Sequence, residues 1–122
     1  MRSVSIVSSH AFREGEVQAV MSQVGARYDN DIWRLIRNNR MVMVQIGNED
    51  LPVMFTRSQL DEMGELMRAR PKGRLSLVFT DSEDGFEEQM ARALAIAFSE
   101  RWSIVFNDHT GSVQLVQPGG IR

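Results

Sequence analysis

No cysteine occurs in the chain, and that one absence removes several chemistries at once. Disulfide bridges, iron–sulfur clusters, thiolate zinc sites and a cysteine nucleophile all need a thiol. Histidine is almost as scarce. The two present, His10 and His109, have no partner at HxxxH or similar spacing, so a zinc site built on paired imidazoles is not expected. The nine glycines are scattered, and none forms a phosphate-cradling loop that opens a helix. No window approaches the roughly 18 apolar residues of a membrane span. The N-terminal stretch MRSVSIVSSHAF lacks the apolar run of about 7–15 residues that a secretory signal needs. These absences predict a soluble cytoplasmic protein with no cofactor, no metal and no membrane association.

What is present is ordinary globular material. The 122 residues fit one domain, and 43% apolar with 25% charged residues is enough to bury a core. The formal net charge of −2 gives no global reason to expect nucleic acid. Its distribution is uneven. Residues 1–40 carry six arginines against four acids, whereas residues 41–85 carry five basic groups against eight acids.

Periodicity divides the chain into elements. VSIVSS, 4–9, alternates as a strand does. Val17, Val20, Met21 and Val24 share one face of a helix, with Gly25 placed to accept the left-handed conformation at its end. DIWRLIR and MVMVQI flank Asn38-Asn39-Arg40 and predict a tight hairpin, since asparagine tolerates positive φ. GNEDLPVMF, 47–55, predicts a loop and a short strand that Pro52 confines to an edge. Thr56 and Gln59 have capping-box spacing at the start of a second helix to Arg70, with Leu60, Met63 and Met67 as its buried stripe. RLSLVFT, 74–80, reads as a strand, and a third helix over about 85–101 carries Phe86, Met90, Ala93, Leu94, Ala97 and Phe98 on one face. SIVF and SVQLV flank a hairpin loop from Asn107 to Gly111, and 117–122 reads as a loose tail. The expected fold is a single α+β domain over residues 1–122. A mostly antiparallel sheet of five to six strands packs one face on two to three helices and leaves the other to water or a partner.

The stretch DSEDGFEE, 81–88, concentrates charge: Asp81, Glu83, Asp84, Glu87 and Glu88. Asp84 and Glu87 have capping-box spacing, and carboxylates in a first turn oppose the positive end of the helix dipole. Capping needs neither Asp81 nor Glu83, so the stretch is also a candidate surface for steering a basic partner. A calcium loop fails on register: with Asp81 at position one, Gly85 falls at five and Arg92 at twelve.

A second candidate is a corner of Ser9, His10 and Asp81. If the strands ending at Ser9 and Thr80 are parallel neighbours, a hydroxyl, a base and a carboxylate converge there. His109, beside Asp108, reads as a solvated turn residue. Arg34, Arg37 and Arg40 most simply decorate the solvent face of a hairpin, with nucleic-acid binding through that ribbon an open alternative. Trp33 and Trp102 are expected as core or interface anchors, and the eight methionines as adaptable core filling.

The segment EEQMARALAIAFSERWSIVFNDHTGSVQLV, about a quarter of the chain, has an alanine-rich amphipathic helix ending in RW, a strand, a turn with Asp and Gly, and a final strand. It resembles the C-terminal part of small α/β immunity proteins of bacterial polymorphic and contact-dependent toxin systems. The resemblance implies a non-catalytic protein that binds and blocks a cognate protein toxin, and it carries over no functional residue. The expected function is therefore an immunity-type inhibitor whose acidic stretch meets a basic toxin surface. A small enzyme or ligand-binding domain using Ser9, His10 and Asp81, and a homo-oligomeric structural or regulatory module, are the alternatives.

Overall fold

In the computed structural model, which describes residues 1–121, one antiparallel sheet organises the chain. Its strands are β1 (Arg2–Ser8), β2 (Arg27–Asp29), β3 (Ile32–Arg37), β4 (Arg40–Ile46), β5 (Gly73–Phe79), β6 (Ile104–Asn107), β7 (Val113–Gln117) and β8 (Gly120–Ile121). They lie in the order β2-β3-β4-β5-β1-β6-β7-β8. The helices are α1 (Glu14–Gln23), α2 (Leu51–Met54), α3 (Arg57–Met67) and α4 (Phe86–Ser99), with a 3-10 turn at Asn48–Asp50. The α+β single-domain expectation holds, with more strands than the five to six expected.

One additional strand, β2, follows from a turn like that of the expected hairpin. Asn30 and Asp31 both take positive φ, like Asn38 and Asn39, so β2-β3 and β3-β4 are successive two-residue hairpins. The end of the chain is not a loose tail: Gln117 closes β7, and Gln117 pairs back with Gly120 in β8, while Arg122 lies outside the described residues. The short edge strand expected near Pro52 is a helix instead. Pro52 sits in the first turn of α2, where a missing N–H costs nothing.

The capping box at Thr56 forms as expected. The Gln59 N–H donates to Thr56 Oγ1 at 3.1 Å, and the Thr56 N–H to Gln59 Oε1 at 2.8 Å. Gly25, at φ 80, closes α1 with the Ala26 N–H reaching back to the Met21 carbonyl.

Alternation along the strands sorts side chains to two faces. Val4, Ile6, Trp33, Val42, Val44, Leu75, Leu77, Phe79 and Phe106 enter the larger core with α1 and α4. The buried face of α4 is Met90, Ala91, Leu94, Ala95 and Phe98, joined by Glu87; Ala93, expected inward, is exposed. The other face is covered over part of its width. Val7 and Val105 pack under Leu51, Met63 and Met67 of α2 and α3 and under Phe55 between them. Beyond that cover, Ile36 and Met41 remain 47% and 38% exposed.

Candidate functional site

The Ser9–His10–Asp81 corner does not assemble. β1 and β5 are neighbours as supposed, but they run antiparallel, with Ser8 opposite Gly73 and Arg2 opposite Phe79. His10 therefore lies at one end of the pair and Asp81 at the other, about 20–25 Å apart at roughly 3.4 Å per residue. Asp81 lies 3.6 Å from Arg2 instead. The backbone of His10 is pressed against β5, where a Cβ on Gly73 would collide with the His10 carbonyl oxygen. The His10 ring stacks on Trp102 at 5.4 Å and meets Glu16 at 2.9 Å, which holds the Glu16 pKa below its usual value.

The acidic stretch is stitched to arginines of its own chain. Arg40 holds Asp84 with two bonds of 2.9 Å and Glu87 with one of 3.1 Å. This bidentate geometry raises the Arg40 pKa and lowers that of Asp84. The expected capping box is absent. Gly85, in the left-handed region at φ 66, occupies the N-cap position, and from the helix start Asp84 accepts the Phe86 N–H at 3.1 Å. Glu87 is buried. It accepts from the Ser82 hydroxyl at 2.7 Å, the main cause of its lowered pKa, and does not reach back to the helix start. Glu88 pairs with Arg2 and, at 3.3 Å, with Arg92. Glu83 has no ion pair among the described residues, and the Asp81 side chain is 60% exposed.

This stretch borders the uncovered part of the sheet. Between them lies a cavity of about 260 Å³ lined in part by Arg40, Met41, Met43, Val78 and Glu87. Of the hairpin arginines, Arg37 donates to the Val24 and Ile36 carbonyls and Arg34 to the Asp29 carbonyl at 3.4 Å, so both guanidiniums are turned onto backbone.

A third cluster was missed. Arg74 is 4% exposed, on the same sheet face as α2 and α3. Its Nε–H donates to Ser5 Oγ at 2.9 Å, and Ser5 Oγ lies 2.7 Å from His109 Nε2. Asp50 is the carboxylate paired with Arg74, at 3.8 Å and half exposed, and burial lowers the Arg74 pKa. His109 keeps the exposed turn position expected, but it is not free in solvent. It takes φ 64, lies 5.6 Å from the Phe55 ring, and is tied to the sheet through Ser5. Burial, and then the charge of Arg74, lower its pKa against an opposing effect of Asp108. The available signal was polar residues inside strands: Ser5, Ser76 and Asn107 face one another across β5-β1-β6. Ser5 is wholly buried, so it bridges Arg74 and His109 and presents no nucleophile to solvent.

Among the described residues no group of three or more His, Asp or Glu gathers as a metal site, and no helix is long and apolar enough to cross a membrane. Comparison of the chain with family models, with curated proteins and with solved structures finds no match.

Proposed function

We propose that this is a non-catalytic, cytoplasmic binding protein of the immunity kind, which seats a cognate protein toxin on the open part of its sheet. The observation that carries this reading is the apolar strip of Ile36, Met41, Met43 and Val78, which no helix covers among the described residues and which the acidic stretch borders. An exposed apolar surface with a charged rim is the anatomy of a protein interface. Because Asp84, Glu87 and Glu88 are held by Arg40, Arg2 and Arg92, the rim charge that can meet a basic partner comes chiefly from Glu83 and from the exposed Asp81, which shares Arg2 with Glu88.

The test is co-expression with a toxin domain encoded beside the gene. Protection of the cells is expected, with loss on Met41→Glu or Ile36→Glu and a smaller, salt-sensitive loss of association rate on Asp81→Asn with Glu83→Gln. No protection by the folded protein, or protection indifferent to Met41→Glu and Ile36→Glu, overturns the reading.

One observation favours a second reading, a homo-oligomer. The register places Arg27 opposite Arg34 at one border of the open strip, away from Asp81 and Glu83 at the strand ends, so two copies stacked face to face could match basic against acidic borders. Sedimentation equilibrium distinguishes it: a dimer that Met41→Glu dissociates favours self-association.

A further inference from the structure

Three loops leave the sheet side by side. β5, β1 and β6 are neighbours, and Ser8, the last residue of β1, stands opposite both Gly73 and Ile104. The segments 9–13, 68–72 and 100–103 therefore meet at one end of the fold, the end away from the acidic stretch. The Lys72 N–H donates to the Ser8 carbonyl at 2.8 Å, which ties two of the loops together.

These loops carry Arg13, Arg68, Arg70, Lys72 and Arg101 against one carboxylate, Glu100, in a chain whose formal net charge is −2. All five cations are exposed, and none has an ion pair among the described residues, whereas Arg2, Arg40, Arg74 and Arg92 are each paired with a carboxylate. The flanking helix turns add Glu14, Glu16 and Glu65. Glu14 is turned to Tyr28 and Glu16 to His10, so the cations outnumber the uncommitted carboxylates. Cations at helix carboxyl ends complement the dipole, which accounts for Arg68 and Arg101 but not for Arg13, Arg70 or Lys72.

An aromatic surface lies in the middle loop. The His10 ring is parallel to that of Trp102, at 5.4 Å and 5°, and its Nε2 is fixed by Glu16 at 2.9 Å. Trp102 is backed in turn by Phe98 and by the edge contact with Phe12. With Trp102 against its ring, the His10 side chain remains 37% exposed. Beside it opens a groove of about 570 Å³, lined in part by Arg68, Arg101, Trp102 and Ser103. A supported ring among unpaired guanidiniums is an arrangement that takes an unpaired base together with its phosphates.

We propose that this end of the molecule binds single-stranded nucleic acid. The backbone phosphates meet the five cations, and one unpaired base stacks on the His10 ring. A duplex keeps its base faces buried and offers none to His10. An anionic membrane would satisfy the cations alone, and none of the large apolar side chains exposed on the protein lies in these loops to enter a bilayer. The site is separate from the open part of the sheet, and neither reading depends on the other.

The test is fluorescence anisotropy of the full chain with a labelled oligoadenylate of about 12 nucleotides, as RNA and as DNA, over a salt series. A duplex and an abasic strand of the same length serve as controls, and sedimentation with phosphatidylserine vesicles tests the membrane. Saturable binding of the single strand is expected, about tenfold tighter than that of the duplex or the abasic strand. The log–log salt slope should be about −3, since each of four or five phosphates contributes about −0.7. Arg70→Glu with Lys72→Glu should weaken binding at least about tenfold and make the slope shallower. His10→Ala should weaken it about fivefold at unchanged slope, and His10→Phe should retain it, which separates stacking from charge. The ratio of RNA to DNA affinity identifies the preferred strand. Absence of saturable binding at low salt overturns the proposal. So does equal binding of the abasic strand or the duplex, an affinity indifferent to His10→Ala or to the Arg70 and Lys72 changes, or vesicle binding that oligoadenylate fails to displace.

Discussion

Along β1, Val4 and Ile6 enter a core closed by α1 and α4, while Ser5, between them, faces Arg74 and His109 on the opposite side of the sheet. The first face is apolar from Trp33 on β3 to Val116 on β7. The second is divided into a small apolar cluster under α3, a polar row of Ser76, Ser5 and Asn107 with Arg74 beside it, and an open apolar strip around Met41 and Met43. The difference lies in the helices. α1 and α4 together bring eight buried apolar side chains to the core. α2 and α3 bring Leu51, Met63 and Met67, with Phe55 at their junction, enough to cover only part of the sheet. Cover of limited area shields the polar row from bulk water, so its members must bond one another.

The comparison is most directly broken by truncation. Leu77→Ala on the first face should cost about 3–4 kcal/mol in urea unfolding, and Met63→Ala on the second about 2 kcal/mol, within the range for buried large-to-small changes. Equal losses would mean that the two faces contribute alike. The polar row supplies a sharper contrast. Ser5→Ala should cost about 1–3 kcal/mol, because it strands the Arg74 Nε–H and deprives His109 of its partner. Arg74→Met removes a desolvated charge at similar volume and should be within about 1 kcal/mol of neutral, or stabilising. If Arg74→Met proves the more damaging, the row is a stabilising network in its own right.

A smaller effect concerns His109 and pH. The His109 pKa is lowered on folding, so between that value and about 6.5 the unfolded chain binds a proton that the folded chain refuses. Stability should therefore fall as pH drops from about 7 through this window, and His109→Gln should flatten that slope, read as urea midpoints. The carboxylates of Asp84 and Glu87, lowered mainly by Arg40 and by Ser82 respectively, act separately. Their contribution is full above about 4.5 and is lost as pH falls further. The smallest effect belongs to the other histidine: His10→Ala, at a partly exposed stack on Trp102, should stay within about 0.5 kcal/mol. A larger loss would restore the His10 corner to importance, though in partnership with Glu16.

Local chemistry carried most of the fold. Asn38-Asn39, Gly25 and the Thr56–Gln59 pair each impose a backbone geometry on their immediate neighbours, and each element forms where those residues place it. The candidate sites were less legible because they depend on which strands become neighbours and in which direction. Spacing put Ser9, His10 and Asp81 at strand ends, and only the antiparallel pairing of β1 with β5 separated them. The same pairing, with β6 on the other side of β1, brought together Ser5, Arg74, Asn107 and His109 from three points of the chain. Asp84 and Glu87 had the spacing of a cap, but Arg40, more than forty residues away, claimed both carboxylates and Gly85 took the N-cap position. By itself the sequence determined the elements, their turns and the alternation of their side chains, because these follow from interactions a few residues long. Which carboxylates found cations, which histidine was tied to the sheet and which part of the sheet stayed open were decided only when the strands paired, because each depends on neighbours that the chain order does not specify.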